Sequence, residues 1–243
     1  MSYFSQPLHI RARQGDVAER VIVVGDPKRV DAIKLLLDDF KLVSDNRGFY
    51  TYTGLYKGVP ITISVHGVGG PSASIVFEEL NMLGAKIMVR FGTAGALIEN
   101  LGVGDVVLAL SASYYRGGLY NLYTVVDTCM PAVADYHLLR HIEKYMEKYR
   151  IRYIVDSVVS VDCFYIPVKD FVSQWSKVKV SAVDMETAAL YILSRIKGFK
   201  AVSVLLISNS LIKETGYLSA DELREYVIRV AEPLLEGLIS FPI

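Results

Sequence analysis

The sequence contains little cysteine, no excess of either charge and no long apolar run. Its two cysteines, Cys129 and Cys163, stand alone without a CxxC pair or a disulfide framework, so we expect a reducing, cytoplasmic setting. The 26 basic and 26 acidic residues cancel, which argues against nucleic acid or an anionic membrane as a partner. No apolar run reaches the roughly 18 residues of a membrane span, and residues 1–7 lack the pattern of a signal peptide.

Apolar residues, by contrast, are abundant. Hydrophobic residues make up 52% of the 243 positions and charged residues 21%, which allows a large core and argues against disorder. Strand-like apolar runs alternate with helical patterns almost throughout, and we find no repeat or linker between them. This alternation predicts an α/β protein with a largely parallel central sheet and helices on both faces.

The first candidate site follows an apolar strand at residues 86–89. Arg90 brings a guanidinium and Thr93 a hydroxyl, while Gly92 and Gly95 let backbone N–H groups approach a ligand closely. We expect this glycine-rich run to end the strand. These residue types predict an anion site, and a salt-bridged arginine beside a turn is the ordinary alternative.

A similar candidate follows the apolar strand at residues 20–24. Gly25 stops that strand, and Asp26 suits the N-cap of a helix predicted over residues 28–40. Arg29 then lies in the first turn, where the helix dipole favours an anion over a cation. Its position therefore indicates a bound anion, unless Arg29 simply pairs with Asp26.

Polar or aromatic residues also follow the other predicted strands. Since parallel strands of open α/β sheets bind ligands beyond their carboxyl ends, we expect these groups to form one site. The arginines at positions 29, 47 and 90 suit a phosphate dianion, and the acids at 184 and 186 suit sugar hydroxyls. Phe164 can stack on a flat ring and the Asn209 amide can contact the edge of that ring.

Five motifs carry a family resemblance across nearly the whole chain: Gly25-Asp26-Pro27-Lys28-Arg29, Asn46-Arg47-Gly48, His66-Gly67-Val68-Gly69, Arg90-Phe91-Gly92-Thr93-Ala94-Gly95 and Asp184-Met185-Glu186. The chain resembles the nucleoside phosphorylases of the hexameric purine and uridine phosphorylase group. The resemblance implies one domain over residues 1–243, folded as a three-layer α/β/α sandwich around a mixed, largely parallel sheet. It also implies a homo-oligomer of dimers, usually a trimer of dimers; whether this chain forms a hexamer or a dimer stays open.

The family reaction is the reversible conversion of a nucleoside and phosphate to the free base and ribose 1-phosphate, a step of purine salvage. The resemblance implies no metal and no organic cofactor, since inorganic phosphate is a substrate. The phosphate-binding positions correspond to Gly25, Arg29, Arg47, Arg90 and Thr93. The ribose-binding positions correspond to His9, Asp184, Met185 and Glu186, and the base-binding positions to Phe164 and Asn209. In the family, the residues matching His9 and Arg47 reach into the neighbouring subunit's site. Arg90, Glu186 and Asn209 are the candidate catalytic residues.

Two departures from the family pattern bear on the substrate. Adenosine-accepting members usually carry aspartate where this chain has Asn209, and an amide cannot deliver a proton as a carboxylic acid can. We therefore expect inosine and guanosine as substrates. Asp184 is one methylene shorter than the usual glutamate, so its ribose contact stays open.

Several alternatives remain. Residues 69–72 and 131–135 resemble the uridine branch, but its uracil-reading glutamine and arginine are missing at 166–169. A 5′-methylthioadenosine phosphorylase is a further possibility. A hydrolytic nucleosidase, or a nucleoside-binding protein without catalysis, would have no use for three phosphate arginines. A dinucleotide-binding enzyme is disfavoured because Ser72 occupies the third glycine position of that fingerprint.

Overall fold

The computed structural model describes residues 6–124 and 129–243 and shows a mixed α/β fold. The first five residues of the N-terminal stretch inspected for a signal peptide therefore lie outside the described part. The strands are β1 (Arg20–Val24), β2 (Asp38–Ser44), β3 (Thr51–Tyr56), β4 (Val59–Val65), β5 (Ile87–Ala96), β6 (Val106–Tyr114), β7 (Tyr153–Ser160), β8 (Ala182–Asp184) and β9 (Lys200–Ser210). The helices are α1 (Pro27–Ile33), α2 (Gly70–Met82), α3 (Gly118–Tyr123), α4 (Tyr136–Lys148), α5 (Phe171–Lys177), α6 (Thr187–Lys197) and α7 (Arg224–Ser240).

The described strands form one sheet in the order β2-β3-β4-β1-β5-β8-β7-β6-β9. Because β9 also pairs with β5, the last five strands in this order close into a ring. Five of the nine pairings are parallel and four are antiparallel, so the sheet is mixed. Strand β5 runs parallel to both β1 and β9, which brings the carboxyl ends of three strands together.

Side chains alternate between two core clusters along the strands. In β1, Val21 and Val23 pack with residues of α2 and α6, whereas Ile22 and Val24 pack with residues of α1, α4 and α7. This two-sided burial explains the continuous apolar runs, since a strand covered on both faces needs apolar residues at every position. Among the described helices, none is long and apolar enough to cross a bilayer.

Strand β5 continues seven residues beyond its apolar run, so the prediction that the glycine-rich run ends the strand was wrong. Gly92 and Thr93 pair with Leu205 and Leu206 of β9, and the pairing continues to Ala96. The glycines therefore do not form a turn; they allow a neighbouring side chain to pack closely against the strand. A Cβ atom on Gly92 would lie 2.6 Å from Cζ of Arg90, whose side chain folds back across this glycine.

Three local predictions also need correction. The helix predicted over 28–40 ends at Ile33, and the chain re-enters the sheet as β2, an edge strand paired only with β3. The Tyr- and Gly-rich segment 114–123 has the composition of a loop, and the sequence predicts one there, but it contains α3; α5 was not predicted. The apolar run at 179–183 predicts a full strand, but only the three-residue strand β8 forms. In the case of β2, pairing with β3, the next strand along the chain, outweighs the local helical pattern.

The Glu79 carboxylate ties the N-terminal segment to α2. It accepts backbone N–H groups from Leu8, His9 and Ile10, at 2.6–3.0 Å, and its Oε1 lies 2.7 Å from His9 Nδ1. Burial alone would raise the pKa of Glu79, but these hydrogen bonds, with that of Ile10 the strongest, hold it below its ordinary value. Glu79 therefore fixes the position of His9.

We expect Glu79→Gln to lower the free energy of unfolding by about 2 kcal/mol, because an amide replaces a charged acceptor of several N–H groups. Because the folded-state pKa is depressed, the stabilisation is present above the ordinary pKa and is lost as pH falls through the folded-state value. Denaturant unfolding of both proteins at pH 7 and below pH 4 measures this difference. Glu19→Gln, which breaks only the exposed pair with Lys86, serves as the control and should cost less than about 1 kcal/mol. An equal loss for both variants would contradict the assignment.

Candidate active site

A cleft of about 660 Å³ opens at the carboxyl ends of β1, β5 and β8 and beside the end of β9. Nine of the residues predicted from the sequence line it: Gly25, Arg29, Arg90, Thr93, Phe164, Asp184, Met185, Glu186 and Asn209. The remaining two, His9 and Arg47, do not line this cleft. Within residues 6–124 and 129–243, no three His, Cys, Asp or Glu side chains are arranged to hold a metal ion.

Arg90 lies at the centre of the buried part of the cleft. Its side chain is 3% exposed, and Nη1 lies 2.9 Å from Asp184 Oδ2 while Nη2 pairs with Glu186 Oε2. Nη1 also donates to the Thr187 hydroxyl at 3.4 Å. Buried charges are stable only when paired, so these three groups depend on one another.

Asp184 uses both of its oxygens within the protein. Oδ1 accepts the Ser160 hydroxyl at 2.6 Å, and Oδ2 accepts the Thr187 N–H at 2.9 Å and hydroxyl at 2.6 Å, in addition to Arg90. These bonds anchor the start of α6 to β7 and β5. They favour an anchoring role over the ribose contact that the sequence left open.

Glu186 is the second carboxylate beside Arg90, and Met185 of the same motif lines the cleft next to it. Its Oε1 accepts the Gly69 N–H at 2.6 Å, which joins the glycine-rich turn after β4 to α6. Burial raises the pKa of Glu186, and the charge of Arg90 opposes that rise. The carboxylate is thus held between a backbone donor and a cation at the wall of the cleft.

Arg29 brings a second guanidinium to the cleft. Its Nη1 donates to the Phe91 carbonyl at 2.7 Å, and its guanidinium lies 5.8 Å from the Phe91 ring centre. Burial, followed by the charge of Arg90, lowers the pKa of Arg29 to about 10, so it stays charged at neutral pH. Asp26 caps α1 as predicted, accepting the Lys28 N–H at 2.9 Å, and no salt bridge between Arg29 and Asp26 occurs in the described structure. Two neighbouring cations beside Gly25 and Thr93 make this part of the cleft suited to an anion.

A β-bulge in β9 orients Asn209. Ala94 pairs with Ile207 but Gly95 pairs with Asn209, so Ser208 is the additional residue. The Ser208 hydroxyl donates to Asn209 Oδ1 at 3.2 Å, while the Asn209 amide nitrogen has no hydrogen-bond partner among the described residues. The amide therefore presents a donor to the cleft.

The outer wall of the cleft is aromatic. Phe164 is 61% exposed, and Tyr217, from the loop after β9, stands edge-on to it with the ring centres 6.3 Å apart. Tyr217 was not predicted as a site residue, although an aromatic residue next to Gly216 in a polar loop was a usable signal. Together the two rings can flank a planar group.

His9 and Arg47 lie together, although neither lines the cleft. The Asn46 side chain donates to the His9 carbonyl at 2.9 Å, which joins the N-terminal segment to the predicted turn at 46–48. Arg47 is exposed, has a φ of 55°, and makes no hydrogen bond or ion pair with any residue in the described ranges. Arg47 is therefore presented outward, whereas the His9 side chain is 28% exposed and its Nδ1 faces Glu79.

Comparisons with known proteins identify the family of the chain. A family model described as "Phosphorylase superfamily" matches residues 19–239. The chain is similar to the guanosine phosphorylase of Halorubrum lacusprofundi, with 36% identity over 219 residues that cover 89% of this chain and 90% of the relative. It is similar to the purine nucleoside phosphorylase DeoD-type 1 of Shewanella oneidensis, with 34% identity over 234 residues that cover 96% and 98% of the two chains. Its fold is similar to the crystal structure of uridine phosphorylase from Vibrio fischeri, with a TM-score of 0.87, 31% identity and coverage of 99% of this chain and 100% of that chain.

Proposed function

The chain belongs to the phosphorylase superfamily, and we propose that it catalyses the reversible phosphorolysis of purine nucleosides, preferably those with a 6-oxopurine base. One observation carries the proposal: Arg29 and Arg90 lie in one cleft with the Glu186 carboxylate and the exposed Phe164 ring. Paired guanidinium groups suit a phosphate, a carboxylate suits sugar hydroxyls, and an exposed ring suits a planar base.

In the proposed reaction, the bond from C1′ to the base breaks while a phosphate oxygen bonds to C1′. The sugar carbon becomes positively charged as the base leaves, and the phosphate dianion below it stabilises that charge before attacking. Arg29 and Arg90 hold the phosphate in place, so their contribution is positioning and electrostatic stabilisation. Glu186 accepts from ribose hydroxyls and favours the cationic sugar.

Asn209 supports a 6-oxopurine as the leaving base. Its unpaired amide donor can stabilise negative charge that develops at N7 or at the 6-oxo group. The name of the Halorubrum relative, guanosine phosphorylase, points the same way. A uridine phosphorylase is the second candidate, favoured by the similarity to the Vibrio fischeri structure, and a 5′-methylthioadenosine phosphorylase remains a third. Against the uridine reading, Ile166 lines the cleft near the place where that branch carries its uracil-reading side chains.

We also infer a cytoplasmic enzyme of purine salvage that assembles from dimers, as in the hexameric family, with each site shared by two subunits. Two exposed, free thiols, Cys129 and Cys163, suit a reducing compartment. The location of His9 beside the segment of the exposed Arg47, outside this chain's own cleft, supports their role in a neighbouring subunit's cleft. The two core clusters on alternate side chains of β1 support a three-layer α/β/α sandwich.

Cleavage of the nucleoside should require phosphate. Arg90→Ala should lower kcat/KM by about a hundredfold or more, because one guanidinium is lost from a partly desolvated anion site. Steady-state phosphorolysis of inosine, with phosphate varied, measures both effects. Because the Ala variant leaves two buried carboxylates unpaired, Arg90→Lys is assayed beside it, and the exposed Arg140→Ala is the control. Equal cleavage by the wild-type protein with and without phosphate would rule out a phosphorylase.

The shared site predicts complementation between variants. His9→Ala and Glu186→Gln proteins should each be defective, but a mixed dimer contains one cleft with an intact Glu186 and an intact His9 from its neighbour. After subunit exchange, verified by native mass spectrometry, we expect each mixed dimer to recover about half the activity of the wild-type dimer. Mixed dimers no more active than the parent proteins would refute the cross-subunit assignment.

Asn209→Asp should raise the use of adenosine relative to inosine. Departing adenine lacks the 6-oxo group that spreads negative charge, so it benefits more from an acid than hypoxanthine does. We expect the ratio of kcat/KM for adenosine to that for inosine to rise about tenfold, and more at pH 6 than at pH 8, where less of the new carboxyl is protonated. Asn100→Asp, which adds the same charge outside the cleft, should leave the ratio unchanged. If the wild-type protein prefers adenosine, or if the substitution leaves the adenosine-to-inosine ratio unchanged, Asn209 is not the specificity determinant. If the wild-type protein prefers uridine, it is a uridine phosphorylase.

A further inference from the structure

Buried polar atoms without partners gather around Arg90. In the described part of the chain, five buried side-chain nitrogen or oxygen atoms lack a hydrogen-bond partner. Four of them are both ring nitrogens of His66, Nε of Arg90 and the hydroxyl of Ser203. Native proteins rarely leave such atoms unpaired, so this concentration beside a candidate catalytic residue calls for a physical explanation.

Strand register places His66 and Arg90 on the same face of the sheet. Strand β1 lies between β4 and β5, with Val24 opposite Val65 and Val23 opposite Arg90. His66, one residue beyond Val65, continues this ladder by donating its N–H to the Val24 carbonyl at 2.8 Å. His66 therefore lies opposite Gly25. Gly25 and Val23 are two residues apart in the chain and point to the same face of the sheet, and Val23 is paired with Arg90, so His66 and Arg90 share that face.

Gly25 lies beside the His66 ring. A Cβ atom built on Gly25 would lie 3.5 Å from Cε1 of His66, which is van der Waals contact. Gly25 and Arg90 both line the anion part of the cleft, whereas His66 is 0% exposed and lies directly behind it. The imidazole is thus a buried neighbour of the predicted phosphate site.

The imidazole is neutral and held in place. Burial, followed by the charge of Arg90, lowers the pKa of His66 well below its ordinary value, so one ring nitrogen keeps a free lone pair. The ring stands edge-on to Phe77, with ring centres 5.5 Å apart. The His66 carbonyl accepts the Ser72 hydroxyl at 2.7 Å, which fixes the backbone behind the ring.

We propose that His66 is a positioning residue that accepts the Nε–H of Arg90 when the guanidinium turns from Glu186 toward a bound phosphate. In this structure the Nη atoms of Arg90 face Asp184 and Glu186, and Nε has no acceptor. If the Nη atoms of Arg90 donate to a bound phosphate, only Nε–H can form a further hydrogen bond with the protein. That bond would fix the orientation of the guanidinium plane. A neutral imidazole supplies a lone pair without adding a third positive charge. The inference rests on the proposed function, because it supposes a phosphate in the cleft.

The test measures binding of inorganic phosphate by calorimetry in the absence of nucleoside. His66→Phe keeps a ring of similar volume but removes both nitrogens, and we expect its phosphate affinity to fall about tenfold, equivalent to ~1.4 kcal/mol. His66→Asn keeps an acceptor and should recover part of the loss. In steady-state assays, KM for phosphate should rise while KM for inosine stays within about twofold of wild type. Phe77→Leu, which disturbs the packing of the ring and keeps its nitrogens, should lose thermal stability without losing phosphate affinity.

A second measurement is independent of whether the Phe variant folds. In wild-type protein labelled with ¹⁵N-histidine, the unprotonated ring nitrogen of His66 should shift on addition of phosphate, as expected when it accepts a hydrogen bond. An unmoved resonance, or a folded His66→Phe protein that binds phosphate as tightly as wild type, would overturn the proposal. Loss of phosphate affinity in Ser203→Ala but not in His66→Phe would assign the acceptor to Ser203, which lies opposite Arg90 in β9. A wild-type protein that binds no phosphate would refute the proposed function instead.

Discussion

The buried ion-pair cluster of Arg90, Asp184 and Glu186 is the interaction on which the site and its surroundings depend. It joins β5 to β8 and to the start of α6, and through the Gly69 N–H it reaches the turn after β4. Removing one partner of such a cluster costs about 3–5 kcal/mol, because the remaining charges stay buried without compensation. Arg29 adds a second buried cation, whose guanidinium donates to the Phe91 carbonyl. The groups suited to bind an anion and a sugar are therefore also those that hold the strand ends together.

Much of the fold and most of the candidate site followed from local sequence patterns. Apolar runs bounded by polar residues predicted β1 and the start of β5, and the N-cap residue Asp26 begins α1 as its side chain allows. Gly25 follows β1, whereas Arg90, Thr93 and Asn209 lie inside β5 and β9, which run parallel to each other. The acids at 184 and 186 reach the same cleft from the end of β8, which runs antiparallel to β5, so a shared strand direction did not predict their position. The roles of these residues toward phosphate, ribose and base nevertheless stay predictions.

The misses come from contacts between elements, which a local pattern does not describe. Residues 38–40, predicted as the end of a helix, belong to β2 because this segment pairs with β3, the next strand along the chain. The orientation of Asn209 depends on a bulge in the pairing with Gly95, which lies more than a hundred residues earlier in the chain. The sequence pattern within β9 does not predict this bulge. His9 and Arg47 do not line the cleft of this chain, and the neighbouring subunit's site to which the family resemblance assigns them stays a prediction.

The glycines of the cleft were correctly placed in the candidate site, but their structural role was predicted wrongly. Gly92 and Gly95 were interpreted as the end of a strand, yet both are paired within β5 and neither has a positive φ. A Cβ atom on Gly92 would lie 2.6 Å from Arg90 Cζ, and one on Gly95 would lie 3.3 Å from Asn209 Oδ1. Each of these two glycines therefore makes room for a neighbouring polar side chain. Where a functional side chain lies flat against a sheet, a glycine beside it is needed because any larger residue would occupy the same space.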